Sequence, residues 1–217
     1  DAIKMAPVVL ELQKHPEKIQ SIVAVTAQHR EMLDQVLQLF HIRPDYDLNI
    51  MSPSQTLFDI TSRALLGLKD AIADARPDII LVHGDTTTTF VGALAAYYHQ
   101  VPVAHVEAGL RTGNKYSPYP EEMNRKLTGA LTDLHFPPTL TSRQNLLTEG
   151  VADKNIFVTG NTVIDALLGT VRTDYEFPPA LADLGNIAGR MILVTTHRRV
   201  NLGEPMRQIF RGIARIA

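Results

Sequence analysis

Ile79-Ile-Leu-Val-His-Gly-Asp85-Thr-Thr-Thr-Thr89 and Val101-Pro-Val-Ala-His-Val-Glu107-Ala-Gly-Leu-Arg111 repeat one unit: a short apolar run, a histidine, and a carboxylate two residues later. Each run reads as a buried strand ending on an acid. Strand ends that lead into helices are where open parallel sheets hold ligands. Outward from this pair the chain alternates. A β run at Ile22–Thr26 precedes a helix at Arg30–Phe40, whose Met32, Leu33, Val36, Leu37 and Phe40 fall at helical spacing. Leu57–Ala73 repeats that spacing between Pro53 and Pro77. Helix Thr87–Tyr98 separates the two strands, and a loop rich in Gly and Pro runs from Gly109 to Pro120. Then come helix Glu121–Leu131, strand Leu134–Phe136, helix Thr141–Glu149, strand Ile156–Val158 and helix Val163–Val171. Short strands alternating with helices predict an α/β fold, a doubly wound parallel sheet with helices on both faces.

Domain limits follow from breaks in this rhythm. Residues 1–172 form the expected N-terminal domain, opened by a helix at Lys4–Gln13 with no strand before it. Residues 173–189, with Pro178-Pro179 and two glycines, read as a linker. Residues 190–217 hold one strand, Met191–Thr195, and one basic helix, Glu204–Ile216, too little to bury its own faces. The expectation is a chain cut at both ends, lacking the first strand of the sheet and most of a second domain. Composition narrows the classes. The 217 residues carry a formal net charge of −2, which argues against a nucleic-acid partner. With no cysteine, disulfides and thiolate metal sites are excluded. No apolar run approaches the ~18 residues of a membrane span, and no segment resembles a signal peptide. The expected setting is soluble and cytoplasmic.

Each chemistry-bearing residue has a plain structural alternative. Asp85 is either an N-cap of the following helix or a site acid, and the roles are compatible. Glu107, behind an apolar run, is expected to be desolvated, with a raised pKa suited to proton transfer; its alternative is a buried ion pair with Arg111. Glu121 and Glu122 open a helix, where acids also complement the dipole. Arg125, in the same turn as Asn124, can bridge to a carboxylate or reach a phosphate. His197-Arg198-Arg199 at a strand end can hold a diphosphate, or form a solvated basic turn. Lys4 is a surface lysine or, beside a glycine-rich turn, a phosphate contact. A rival reading pairs His83 and Asp85 with His105 and Glu107 around a divalent metal, because residues i and i+2 share a strand face.

Taken in order, eight stretches carry a resemblance: Asp1-Ala-Ile-Lys-Met-Ala-Pro7, Thr26-Ala-Gln-His-Arg-Glu-Met-Leu-Asp34, His83-Gly-Asp-Thr-Thr-Thr-Thr89, His105-Val-Glu-Ala-Gly-Leu-Arg-Thr112, Pro120-Glu-Glu-Met-Asn-Arg125, Thr141-Ser-Arg-Gln-Asn-Leu-Leu147, Thr159-Gly-Asn-Thr-Val-Ile-Asp-Ala166 and Thr196-His-Arg-Arg199. They run across nearly the whole chain, and together the chain resembles the non-hydrolysing UDP-N-acetylglucosamine 2-epimerase family. The resemblance implies a Rossmann-like domain, the first half of a two-domain glycosyltransferase-B arrangement with substrate in the interdomain cleft. It implies inversion at C2 of UDP-N-acetylglucosamine through elimination of UDP to 2-acetamidoglucal and re-addition, giving UDP-N-acetylmannosamine for cell-envelope polysaccharide. No metal or other cofactor is needed, and the expected assembly is a homodimer.

Position by position, Asp85, Glu107 and Glu121 match the family's essential acids, Arg125 and His197 its essential basic residues, and Lys4 a substrate contact. Arg198 is expected on the substrate beside His197. Gln28, His29 and Arg63 resemble part of a second, regulatory nucleotide-sugar site of some members. There are departures: the glycine-rich turn and arginine that precede Asp1 in the family are absent, and Val200 stands where a glutamate is usual. The polypeptide alone is therefore expected to be inactive. Other readings on the same residues are a hydrolysing epimerase, a glycosyltransferase using UDP-sugars, a non-catalytic nucleotide-sugar-binding or dimerisation module, and a metal-dependent hydrolase.

Overall fold

The computed structural model describes residues 1–28, 30–186, 189–196 and 203–216. In chain order the elements are α1 (Ala2–Leu12), β1 (Ala24–Val25), α2 (Arg30–Leu39), β2 (Tyr46–Asp47), α3 (Leu57–Ala75), β3 (Ile80–His83), α4 (Thr87–Tyr98), β4 (Val103–Val106), α5 (Glu121–Leu131), β5 (Leu134–Phe136), α6 (Leu140–Thr148), α7 (Val163–Thr170) and α8 (Glu204–Ile213). Short 3-10 turns lie at Asp153–Asn155 and Pro179–Asn186. The expected α/β architecture with parallel strands is present. The chain divides into two compact units, Asp1–Val171 and Arg172–Ala217.

Within the first unit all strand pairs are parallel. β3, β4 and β5 lie side by side in sequence order, with Ile80 beside Val103 and His105 beside His135. Parallel neighbours need crossovers, and α4 and α5 supply them. β4 is buried at every residue. α4 packs on this sheet through small side chains, since Val82, Ala93, Ala96 and Val103 form one core cluster. Its other side meets α3, where Ile50, Ile60, Ala64 and Val91 pack together. α3 starts where a reciprocal cap fixes it: Asp59 N donates to Thr56 Oγ1 at 3.3 Å and Thr56 N to Asp59 Oδ2 at 2.8 Å. A separate cluster of Ala6, Phe40, Ile42 and Ala166 draws α1, α2 and α7 together.

Four expectations change. The strand at Ile22–Thr26 shortens to two residues, because Val23 N is taken by the Asp45 carboxylate at 2.8 Å instead of a strand partner. Its partner β2 was not foreseen: Asp45-Tyr-Asp-Leu-Asn49 alternates polar with apolar residues, but aspartate and asparagine are disfavoured in strands and the run is short. The strand at Ile156–Val158 reduces to one bridge between Ile156 and His135, although Phe157 N and Thr159 N still donate to His135 O and Pro137 O. In the second unit Met191–Thr195 is not a strand: Met191, Ile192, Leu193 and Val194 are exposed, and no described residue offers them a ladder. The expected linker contains the 3-10 turn that begins at Pro179.

Candidate active site

Two histidines organise the ends of β3 and β4. Gly84 N donates to Val106 O at 2.9 Å, which carries the ladder one residue past β3. The buried His105 Nε2 donates to Gly84 O at 2.7 Å and pins the turn that delivers Asp85. His83 lies between two acids, with Nδ1 3.3 Å from Asp1 Oδ1 and Nε2 3.7 Å from Glu107 Oε2. His105 Nε2 is taken by the Gly84 carbonyl, while its buried Nδ1 has no hydrogen-bond partner among the described residues. Among the described residues no group of three or more His, Asp or Glu side chains could hold a metal.

Asp85 is not the cap of α4. Thr86 takes that place, with its Oγ1 accepting from Thr89 N at 3.3 Å. The Asp85 carboxylate instead receives Arg125 at 2.5 Å, and its carbonyl receives Asn124 Nδ2 at 2.9 Å. These two contacts fasten the first turn of α5 to the end of β3.

Glu107 follows β4 in the left-handed region, at φ +61°. That conformation disfavours a residue with a side chain, and such outliers persist where the surrounding structure imposes them. Its Oε2 receives Lys4 Nζ at 2.5 Å and Asn161 Nδ2 at 2.9 Å. Arg111 is not its partner, because that guanidinium forks onto Glu149 at 2.8 and 2.6 Å. The expected rise in pKa is also overturned. Burial alone pushes the carboxyl up, but the Lys4 hydrogen bond, the neighbouring positive charge and the Asn161 amide outweigh it and hold Glu107 below the usual glutamate value.

The two acids opening α5 separate in role. Glu122 is fully buried, accepts from Thr112 N at 3.1 Å and Gly113 N at 3.1 Å, and lies 3.3 Å from Arg125. It secures the loop after β4. The Glu121 side chain forms no hydrogen bond or ion pair among the described residues, on the same turn that Asn124 and Arg125 fix to Asp85. One end of the sheet thus carries an ionised carboxylate against a lysine, a second carboxylate against an arginine, and a third acid nearby on a helix N-terminus.

The family profile described as UDP-N-acetylglucosamine 2-epimerase matches residues 10–217. The chain belongs to the UDP-N-acetylglucosamine 2-epimerase family. It is 63% identical over 216 residues to the UDP-N-acetylglucosamine 2-epimerase of Bacillus subtilis, covering 100% of this chain and 56% of that protein. A crystal structure of a candidate UDP-N-acetylglucosamine 2-epimerase from Listeria monocytogenes superposes with a TM-score of 0.90 at 59% identity, over 99% of this chain and 56% of that one. The Neisseria meningitidis UDP-GlcNAc 2-epimerase bound to UDP-GlcNAc gives 0.73 at 61% identity, over 77% and 45%. The chain therefore spans about half the length of the curated relatives it matches.

In this epimerase-family chain the structure brings Lys4 to Glu107 and Arg125 to Asp85. His197 and Arg198, expected on the diphosphate, lie outside the described residues, as does His29 of the expected regulatory site. Of that site's other members, Arg63 donates to Ser52 Oγ at 2.5 Å and Ile50 O at 3.4 Å, while Gln28 lies in the turn before α2. Sequence reasoning missed Asn161, although it too follows a strand-like segment and a glycine, as Asp85 follows His83-Gly84. The residues themselves did not separate Glu121 from Glu122, since both lie within helical reach of Arg125 at i, i+4 and i, i+3, and only the resemblance singled out Glu121.

Proposed function

We propose that the full-length protein carrying this chain interconverts UDP-N-acetylglucosamine and UDP-N-acetylmannosamine. The observation that carries the reading is the Glu107 carboxylate, held ionised beside Lys4 at the end of β4 in a chain of this family. The name and ligand of the Neisseria relative support the nucleotide sugar as substrate.

C2 of the sugar bears an amide nitrogen and no adjacent carbonyl, so its hydrogen is not acidic. Elimination avoids a free carbanion. An ionised Glu107 takes the C2 proton, the C–H electron pair becomes the C1=C2 bond of 2-acetamidoglucal, and the C1–O pair leaves with UDP. Re-addition reverses these bonds with a proton delivered to the other face, a role assigned to Glu121. Asp85, oriented by Arg125, holds sugar hydroxyls. His197 and Arg198 are assigned to the diphosphate, whose charge grows as the C1–O bond breaks; placed charge of this kind is usually the largest part of catalysis. The glycosyltransferase-B arrangement with a cleft between domains belongs to this same proposal.

Proton and phosphorus NMR of the full-length protein with UDP-N-acetylglucosamine tests it. The expected product is UDP-N-acetylmannosamine with no free sugar. Release of free N-acetylmannosamine and UDP would make the protein a hydrolysing enzyme, and an unchanged substrate would remove the assignment.

A further inference from the structure

We propose that Asn161 is a positioning residue that decides which oxygen of Glu107 meets the substrate, an inference that rests on the proton-transfer role proposed for Glu107. Asn161 lies in the turn before α7. Its Oδ1 accepts from Val163 N at 3.0 Å, while Thr162, the residue that formally precedes the helix, makes no side-chain cap. With its oxygen committed to the helix start, the amide has only its Nδ2 end left to present to Glu107 Oε2, which it reaches at 2.9 Å. Lys4 comes to the same oxygen at 2.5 Å from α1.

The two oxygens of Glu107 are thereby made unequal. Oε2 accepts from both donors. Oε1 receives no hydrogen bond among the described residues, and the Glu107 side chain keeps about one-tenth of its surface exposed. A proton arriving on Oε2 would displace a donor and leave two N–H groups facing an O–H. On Oε1 it meets no such conflict, so Oε1 is the oxygen that exchanges a proton with C2. Lys4 alone does not secure this, because a lysine stem has many rotamers and its side chain is partly exposed. The short, helix-anchored amide fixes the carboxylate plane.

Asn161→Asp separates this role from helix capping. It keeps the acceptor for Val163 N, removes the Nδ2 donor and sets a second carboxylate against Glu107. In the full-length protein labelled with ¹³C at glutamate carboxyls, with Glu107 assigned by its loss in Glu107→Gln, the Glu107 titration is expected to move up by about one pH unit or more, a tenfold change in its ionisation equilibrium. kcat is expected to fall by about tenfold or more with KM little changed, as for loss of a hydrogen bond to a charged group. Asn161→Ala, which adds no charge, should shift the titration in the same direction and also lower Tm. A folded Asn161→Asp protein with an unmoved Glu107 titration and kcat within about twofold of wild type overturns the proposal. If the wild type fails to epimerise the sugar, the carboxyl titration still decides the Asn161 contact, and the two failures stay distinct.

Discussion

Gly109 sits at φ +81°, and a Cβ built on it would lie 2.3 Å from the Ser142 carbonyl oxygen. The backbone of the loop after β4 therefore touches the backbone of α6, and Asn145 Nδ2 reinforces the contact by donating to Gly109 O at 2.9 Å. Gly109→Ala combines a left-handed φ with a backbone clash that no rotamer relieves, so a loss of roughly 3 kcal/mol or more is expected in urea unfolding; an unchanged midpoint would contradict this packing. At the same scale, Asp85, Glu107 and Arg125 could be read from the sequence because strand ends and helix starts advertise themselves. What was illegible was pairing. Lys4 is 103 residues from Glu107 in sequence, and nothing local distinguishes it from any helix lysine. The inverted pKa of Glu107 follows from that same missing partner, since an apolar strand predicts desolvation but not the cation that overrides it.

Among elements, the three-stranded sheet has a property that only burial reveals. β3, β4 and β5 each bury one histidine, His83, His105 and His135. Burial pushes His83 and His105 down to about 4 and lowers His135 as well. A histidine kept neutral by folding adds nothing above its unfolded pKa near 6.5, where both states are neutral. Below it the unfolded chain binds a proton that the folded chain refuses, so stability falls as pH drops from about 6.5 toward about 4. For His105 alone the loss is about 3 kcal/mol across that window. Urea midpoints measured at pH 7.5, 6, 5 and 4 should decline steadily, and a flat profile down to pH 5 would contradict the burial of these neutral imidazoles. Helix α5 emerges with the limits its sequence implied, Glu121–Leu131, because Pro120 and two acids mark its start. β2 and the bridge at Ile156 did not, since a short strand is defined by its neighbour and not by its own residues.

At the level of the whole molecule, residues distant in sequence converge on one end of the sheet: Lys4 from α1, Asp85 from the turn after β3, Glu107 from that after β4, Arg125 from α5, and Asn161 before α7. Parallel topology brings Asp85 and Glu107 together, because every crossover returns the chain so that successive strands end on the same side, and their ion pairs draw in Lys4 and Arg125. No helix among the described residues is long and apolar enough to cross a membrane. Solvent deuterium incorporation at C2 of UDP-N-acetylglucosamine, comparing the full-length protein with its Glu107→Gln variant, tests the account most directly. Wild type is expected to place one deuterium at C2, and the variant, isosteric but unable to accept the proton, to lose about 10²–10⁴-fold in that rate. Exchange by Glu107→Gln at the wild-type rate would show that the C2 proton leaves by another route.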